Sequence, residues 1–313
     1  MEIAIRALDG RDVAEADRIF RVAFGTFLGL PKPDSFMGDA DLVGSRWWAA
    51  PTAVLGAYAG DELVGSNFVA NWGSFGFFGP LTVRPDLWDR GIARRLLDPT
   101  MELFTRWGTR QAGLFTFPNS PKHIALYEKF GFRRQALTPV MAKAVGGAAG
   151  GGQWSTLSAV PRPCRPPILA ACQALTEAIH PGLDVQSEIR AVCDQRIGET
   201  VLVREGRELV AFAVCHQGAG SEAEAGATFI KFGAARAGRD APGHFERLLA
   251  ACEAQARVRG SKRLVAGINV ARSQAHRIMR RQGFETVFEG VAMHRPDAPG
   301  HNRPDCFVID DWR

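Results

Sequence analysis

The chain has 313 residues, enough for two cores of roughly 150 residues each. With 46% hydrophobic and 23% charged residues, and no apolar run of the roughly 20 residues that a bilayer span needs, the composition excludes disorder and a membrane-spanning helix. The 38 Lys and Arg against 33 Asp and Glu divide evenly, 17 against 15 up to residue 150 and 21 against 18 beyond it. No clustered basic footprint results, and no nucleic-acid partner is expected. The segment MEIAIRALDGRD lacks the basic and apolar regions of a secretory signal, so a cytoplasmic protein is expected. Cys164, Cys172, Cys193, Cys215, Cys252 and Cys306 all lie in the second half without a C-x-x-C pair, which reads as free thiols rather than a metal or redox motif.

In chain order, EIAIRAL is β-patterned, and residues 12 to 27 place Val13, Ala16, Ile19, Phe20 and Ala23 at helical spacing behind acidic residues suited to a first turn. Residues 25 to 48 read as a long loop with a short helix. Residues 52 to 72 give two strands around the turn Ala59-Gly60-Asp61-Glu62. A strand at 76 to 83, a helix at 91 to 107 carrying Pro99 as a kink site, a strand at 111 to 117, a helix at 120 to 130 and a strand through Lys143 complete the first half. The stretch AVGGAAGGGQ, residues 144 to 153, has five glycines in ten and reads as a linker. The expected units are therefore 1–143 and 154–313, the latter ending in a tail.

The second half repeats the first. Gly91 and Gly243, Leu96-Leu97 and Leu248-Leu249, and Gly131-Phe132 and Gly283-Phe284 share an offset of 152. GDELV at 60 to 64 and GRELV at 206 to 210 are offset by 146, which requires six extra residues between that hairpin and the later glycine. Two copies of one mixed-sheet α/β fold are expected.

Chemistry concentrates in LTVRPDLWDRGIARRLL, residues 81 to 97, where a strand turns at Pro85 and Asp86 into a helix beginning near Gly91. Free amides and the helix dipole at such a corner bind phosphate, Gly91 allows close approach, and Arg90, Arg94 and Arg95 add charge. Downstream, Ser120-Pro121 starts a helix that carries His123, Ile124 and Tyr127 on one face, with Ser120 expected as the capping hydroxyl.

Together these residues resemble the GCN5-related N-acetyltransferase (GNAT) family. Its V-x-P-x-x-[R/Q]-x-x-G-x-[G/A] signature appears as Val83 to Ala93, with Trp88 in the Arg/Gln place. Its N-x-x-A-x-x-x-Y-x-x-x-G-F pattern ends here in Tyr127 to Phe132, with Ser120 and His123 in the Asn and Ala places and Asn119 one position early. The resemblance implies tandem acyl-CoA N-acyltransferase folds that use acetyl-CoA. Leu81, Thr82 and Val83 would pair with the pantetheine arm, and Trp88, Asp89, Arg90, Gly91, Ile92, Ala93 and Arg94 would surround the pyrophosphate, with Asn119 and Ser120 nearby. Tyr127 would be the acid toward the CoA thiolate. Acetyl transfer to a primary amine would be direct, since the first half has no cysteine to carry an acyl group. Asp34, Asp39 and Asp41 are the candidates for a base. The second copy puts Pro242 and His244 around Gly243 and Met279 in the place of Tyr127, so it is expected to be degenerate and structural or substrate-shaping. A non-catalytic acyl-CoA-binding module is the alternative reading.

Overall fold

A computed structural model describes residues 2–146 and 153–313, so the expected linker falls mostly outside the described residues. The first unit contains β1 (Ala4–Ala7), α1 (Val13–Phe27), α2 (Leu42–Ala49), β2 (Val54–Ala59), β3 (Glu62–Trp72), β4 (Phe75–Val83), α3 (Ile92–Arg106), β5 (Gln111–Thr116), α4 (Pro121–Glu128) and β6 (Arg133–Ala144). The second contains β7 (Trp154–Thr156), α5 (Pro166–Ile179), α6 (Gln186–Gln195), β8 (Gly198–Glu205), β9 (Glu208–Gln217), β10 (Ala227–Ala235), α7 (Ala241–Val258), β11 (Arg263–Gly267), α8 (Ser273–Arg281), β12 (Glu285–Arg295) and the terminal β13 (Val308–Ile309). Helix α3 runs unbroken through Pro99.

The repeat survives to the residue. Strand β10 lies 152 positions after β4 along its whole length, and the parallel pairs Phe75↔Gln111 to Phe78↔Leu114 recur as Ala227↔Arg263 to Ile230↔Ala266. The six extra residues lie in the β9–β10 connection, residues 218–226, which replaces the two-residue β3–β4 turn.

The two units share one sheet, ordered β1-β2-β3-β4-β5-β12-β6-β11-β10-β9-β8-β7. The last strand of each copy is exchanged: β5 pairs antiparallel with β12, β11 with β6, and β6 pairs with β12 at the centre. A pseudo-twofold axis therefore passes between β6 and β12. Helices cover both faces. Ala16, Ile19 and Phe20 of α1 and Leu42 of α2 bury against Tyr58 and Phe68, whereas Leu96 and Leu97 of α3 and Ile124 of α4 bury against Val64 and Phe78. Each helix presents one apolar stripe to the sheet, as its periodicity required. Among the described residues no helix is long and apolar enough to cross a membrane, and all six cysteines are free.

Candidate functional site

Strands β4 and β5 pair only as far as Phe78↔Leu114 and then part. On the other side β4 remains paired with β3, and the Arg84 amide donates to the Val64 carbonyl at 2.9 Å. Backbone groups alternate along a strand, so Thr82 and Arg84 turn toward β3, leaving Leu81 and Val83 on the flank facing the cleft. Of the three residues expected to pair with pantetheine, Thr82 therefore has its polar backbone spent on β3. Trp88, in the Arg/Gln place, donates from Nε1 to the Val83 carbonyl at 2.7 Å. It closes the strand-to-helix turn and leaves the Val83 amide and both Leu81 groups on the open flank.

The turn ends in a corner of unpartnered amides at the start of α3. Asp89 and Gly91 have φ of 65° and 75°, and Gly91 is the N-cap of α3. Among the described residues no acceptor takes the amides of residues 89 to 94. Arg90 and Arg94 are exposed and make no ion pair among the described residues, while Arg95 is tied to the Ile3 carbonyl and does not face the corner freely. Lys122, at the start of α4, forms an ion pair with Asp89 and so joins the two segments that carry the motifs. Asn119 is exposed at the same end. Ser120 is the N-cap of α4 and a buried residue but makes no side-chain capping hydrogen bond, and Pro121 supplies the helix-start geometry.

Tyr127 is buried against Phe78, with ring centroids 5.7 Å apart. Burial raises its phenol above the ordinary value, and the Thr116 hydroxyl, at the end of β5, works in the opposite direction. The phenol is therefore held neutral at the level where the strands part. Asp39 and Asp41 prove to be structural. The Asp39 carboxylate accepts from the Ala225 amide at 2.9 Å, and Asp41 caps α2 through the Gly44 amide at 2.7 Å. Asp34 is exposed on the loop.

The second cleft is occupied by the protein itself. β13 pairs antiparallel with Gly233 and Ala234, and the Ala235 amide donates to the Phe307 carbonyl at 3.0 Å. Gly233 and Ala235 stand 152 residues after Leu81 and Val83. Phe307, Val308 and Ile309 are buried, and the buried pair Arg272–Asp310, at 2.7 Å, holds the chain just beyond them. At α7 the amides of Ala241 and His244 are taken by the carbonyls of Gly238 and Asp240, and Pro242 has none to give.

A buried charge cluster unread in the sequence joins the units. Arg46 of α2 donates to Glu222 at 3.0 and 3.1 Å and to the Gly79 carbonyl, which lies where β4 and β5 part, at 2.5 Å. Lys231 also contacts Glu222 and stands 3.6 Å from Glu188. Burial would raise Glu222, but Arg46 and Lys231 hold it well below the usual carboxylate range. Glu222 belongs to the extra loop of residues 218–226, so the six-residue length difference was its one sequence signal. Beside the cluster lies a cavity of ≈ 170 Å³ between α2 and α6.

The splayed parallel pair, the turn into α3 and the tyrosine all fall inside one segment that resembles a known family. The sequence model of the Acetyltransferase (GNAT) family matches residues 20–132. No curated protein matches the chain. A Pyrococcus horikoshii protein assigned to the acetyltransferases superimposes with a TM-score of 0.71 at 16% identity, covering 99% of this chain and 95% of the other. A GCN5-related N-acetyltransferase from Sphaerobacter thermophilus gives 0.59 at 16% identity, covering 95% and 96%. A tandem GNAT protein of the clavulanic acid biosynthesis pathway gives 0.54 at 14% identity, covering 94% and 98%. The chain therefore has a tandem GNAT fold, and the match to the acetyltransferase family model lies within its first unit.

Proposed function

We propose that the first unit, residues 1–143, transfers an acetyl group from acetyl-CoA to a primary amine, and that residues 154–313 form a degenerate copy that shapes the site without binding a donor. The observation that carries this reading is the coincidence, in the first unit only, of an unfilled cleft, free amides at residues 89 to 94 and a buried tyrosine. Leu81 and Val83 would pair with the pantetheine arm. The anion corner, with Arg90 and Arg94, would hold the pyrophosphate.

In a ternary complex the amine nitrogen attacks the thioester carbon, the C–S bond breaks and sulfur leaves as thiolate. Ordinary values of about 10 for a phenol and about 8.5 for a thiol already make full proton transfer from Tyr127 uphill, and its burial widens the gap. Tyr127 therefore serves as a hydrogen-bond donor to the developing charge, and the sulfur is protonated late.

The test is transfer of labelled acetyl across an amine panel, with calorimetry of acetyl-CoA binding. Binding without turnover would favour the alternative of a non-catalytic acyl-CoA module, a reading supported by Trp88 occupying the Val83 carbonyl.

A further inference from the structure

Beyond the end of β5 the surface carries a continuous set of aromatic rings, none fully buried. Phe24 and Phe36 stack at 5.4 Å with planes 12° apart. Phe117 lies 5.9 Å from Phe24 and 4.6 Å from Phe27. His123 is 5.0 Å from Phe27 and 6.3 Å from Phe117. Phe288 completes the set at 5.7 Å from Phe117, and it comes from β12, the strand contributed by the second unit. Phe27 retains 38% of its surface in solvent. Large apolar groups left together at the surface of a folded protein mark a binding site more often than scattered ones do.

Position gives this patch its meaning. Thr116, beside Tyr127, lies between Phe115 and Phe117 on the chain, and side chains alternate faces along a strand. The rings therefore stand just past the point where β4 and β5 part, between the C-terminal end of α1 and the start of α4. Arg21 fixes the far wall by donating to the carbonyls of Phe36 and Gly38, both at 2.7 Å. His123 is the one ionisable member of this set of rings, with Lys122 beside it and Arg21 behind Phe36. It sits one helical turn before Tyr127 on the same face of α4. Its Nδ1 is buried without a partner, which leaves Nε2 as the accessible nitrogen. Burial, with Lys122 adjacent, lowers its basicity, so the imidazole is neutral and its lone pair free.

We propose that this two-unit aromatic patch is the acceptor site of the first unit, that it takes a primary amine bearing an aromatic or compact apolar group, and that His123 removes the amine proton. The proposal rests on the acetyltransferase reading above. It also supplies the base that Asp39 and Asp41, both spent on structure, do not. A site walled by rings favours the uncharged amine, because desolvation lowers an ammonium pKa. As the C–N bond forms, the N–H proton passes to His123 Nε2 and the C–S bond breaks to a thiolate hydrogen-bonded by Tyr127. The proton on His123 then reaches the sulfur through solvent, leaving an amide and free CoA thiol.

The experiment compares 2-phenylethylamine with n-propylamine at saturating acetyl-CoA. Ring contacts of the usual strength predict kcat/KM about tenfold higher for 2-phenylethylamine. Phe117→Ala and Phe288→Ala, from different units, should each raise its KM about fivefold while leaving the KM for acetyl-CoA within about twofold. His123→Phe keeps the ring and removes the nitrogen; it should lower kcat about a hundredfold with KM for the amine little changed. No preference over n-propylamine, unchanged KM in both Phe variants, or full kcat in His123→Phe would each overturn the corresponding part. Saturation-transfer NMR of 2-phenylethylamine on the CoA-loaded protein separates the two readings. Binding that weakens in Phe117→Ala supports the site even without turnover, whereas transfer to n-propylamine with no 2-phenylethylamine binding sinks the site and leaves the acetyltransferase.

Discussion

One acyl donor should bind per chain, at the first cleft. For the second cleft to open, β13 must leave β10 and expose Phe307, Val308 and Ile309, which are 4%, 0% and 0% accessible. At about 1.5–3 kcal/mol for each side chain, displacement costs about 5–9 kcal/mol, or about three to six decades in affinity. Isothermal calorimetry with acetyl-CoA should therefore give a stoichiometry of one. A matched pair of substitutions locates that site. Gly91 has φ of 75° with nothing within 4 Å of where a Cβ would stand, so Gly91→Ala is penalised by backbone conformation alone. That strain, about 1–2 kcal/mol, is relieved by moving the amides of the anion corner, and Kd for acetyl-CoA should rise about 5- to 30-fold. Gly243, 152 residues later, also has open space around it but lies within α7 without a left-handed φ. Gly243→Ala should leave Kd unchanged and add about 0.5–1 kcal/mol of stability. Two equivalents bound, or equal weakening by both substitutions, would refute the assignment of the second cleft as closed.

Tyr127→Phe should lower kcat about 10- to 100-fold, the worth of a hydrogen bond to a charged group, with the KM for acetyl-CoA little altered; unchanged turnover would remove the tyrosine from the reaction. Asp310→Asn leaves the buried Arg272 guanidinium without its counter-ion and should destabilise the chain by about 3–5 kcal/mol, read as a lower urea midpoint. Burial pushes His216 down to about 3 and His294 down to about 4, below the ordinary 6.5 or so, so both are neutral when folded and protonate more readily when unfolded. Stability from these two groups is full above about pH 6.5 and is lost as pH falls toward 4 and 3, so the urea midpoint should drop between pH 7 and 5.

Element order and the strand-to-helix corner ahead of α3 were legible because they are local. Strand-then-helix periodicity, the Val83-to-Gly91 turn and the Ser120-Pro121 helix start all act over a few residues, and the 152-residue offset needed only counting. Exchange of β6 and β12 was not legible. Both are long strands following equivalent helices, and nothing in either states which β5-like edge it joins. The seating of the tail in the second cleft is illegible for a related reason. Phe307-Val308-Ile309 is β-patterned, but two carboxylates follow it directly, and contacts from the distant Arg272 and His301 are what make burial of Asp310 tolerable. The motif puts Trp88 among the residues around the pyrophosphate and Arg95 among the charges beside it. Their actual partners, the carbonyls of Val83 and Ile3, are set by how the turn packs and not by the motif.

Strand exchange also predicts what the first unit does alone. Among the described residues β6 pairs with β11 and β12 alone, and β12 is the outer neighbour of β5. A fragment of residues 1–146 would keep β1 to β5 but leave the β5 edge open and β6 without any partner. An unpaired apolar edge of this kind seeks another strand. The pseudo-twofold supplies one: in two fragment copies, each β6 can lie against the β5 of the other, with the two β6 strands paired where β6 and β12 now meet. That contact is isologous and closed, so it stops at a dimer. Light scattering on the purified fragment should therefore report a homodimer, and Val140→Lys, a buried position on β6, should abolish it along with solubility. A folded monomer that binds acetyl-CoA as tightly as the full chain would show that β6 can return to its own unit, and that the exchange of strands is not what binds the two copies into one protein.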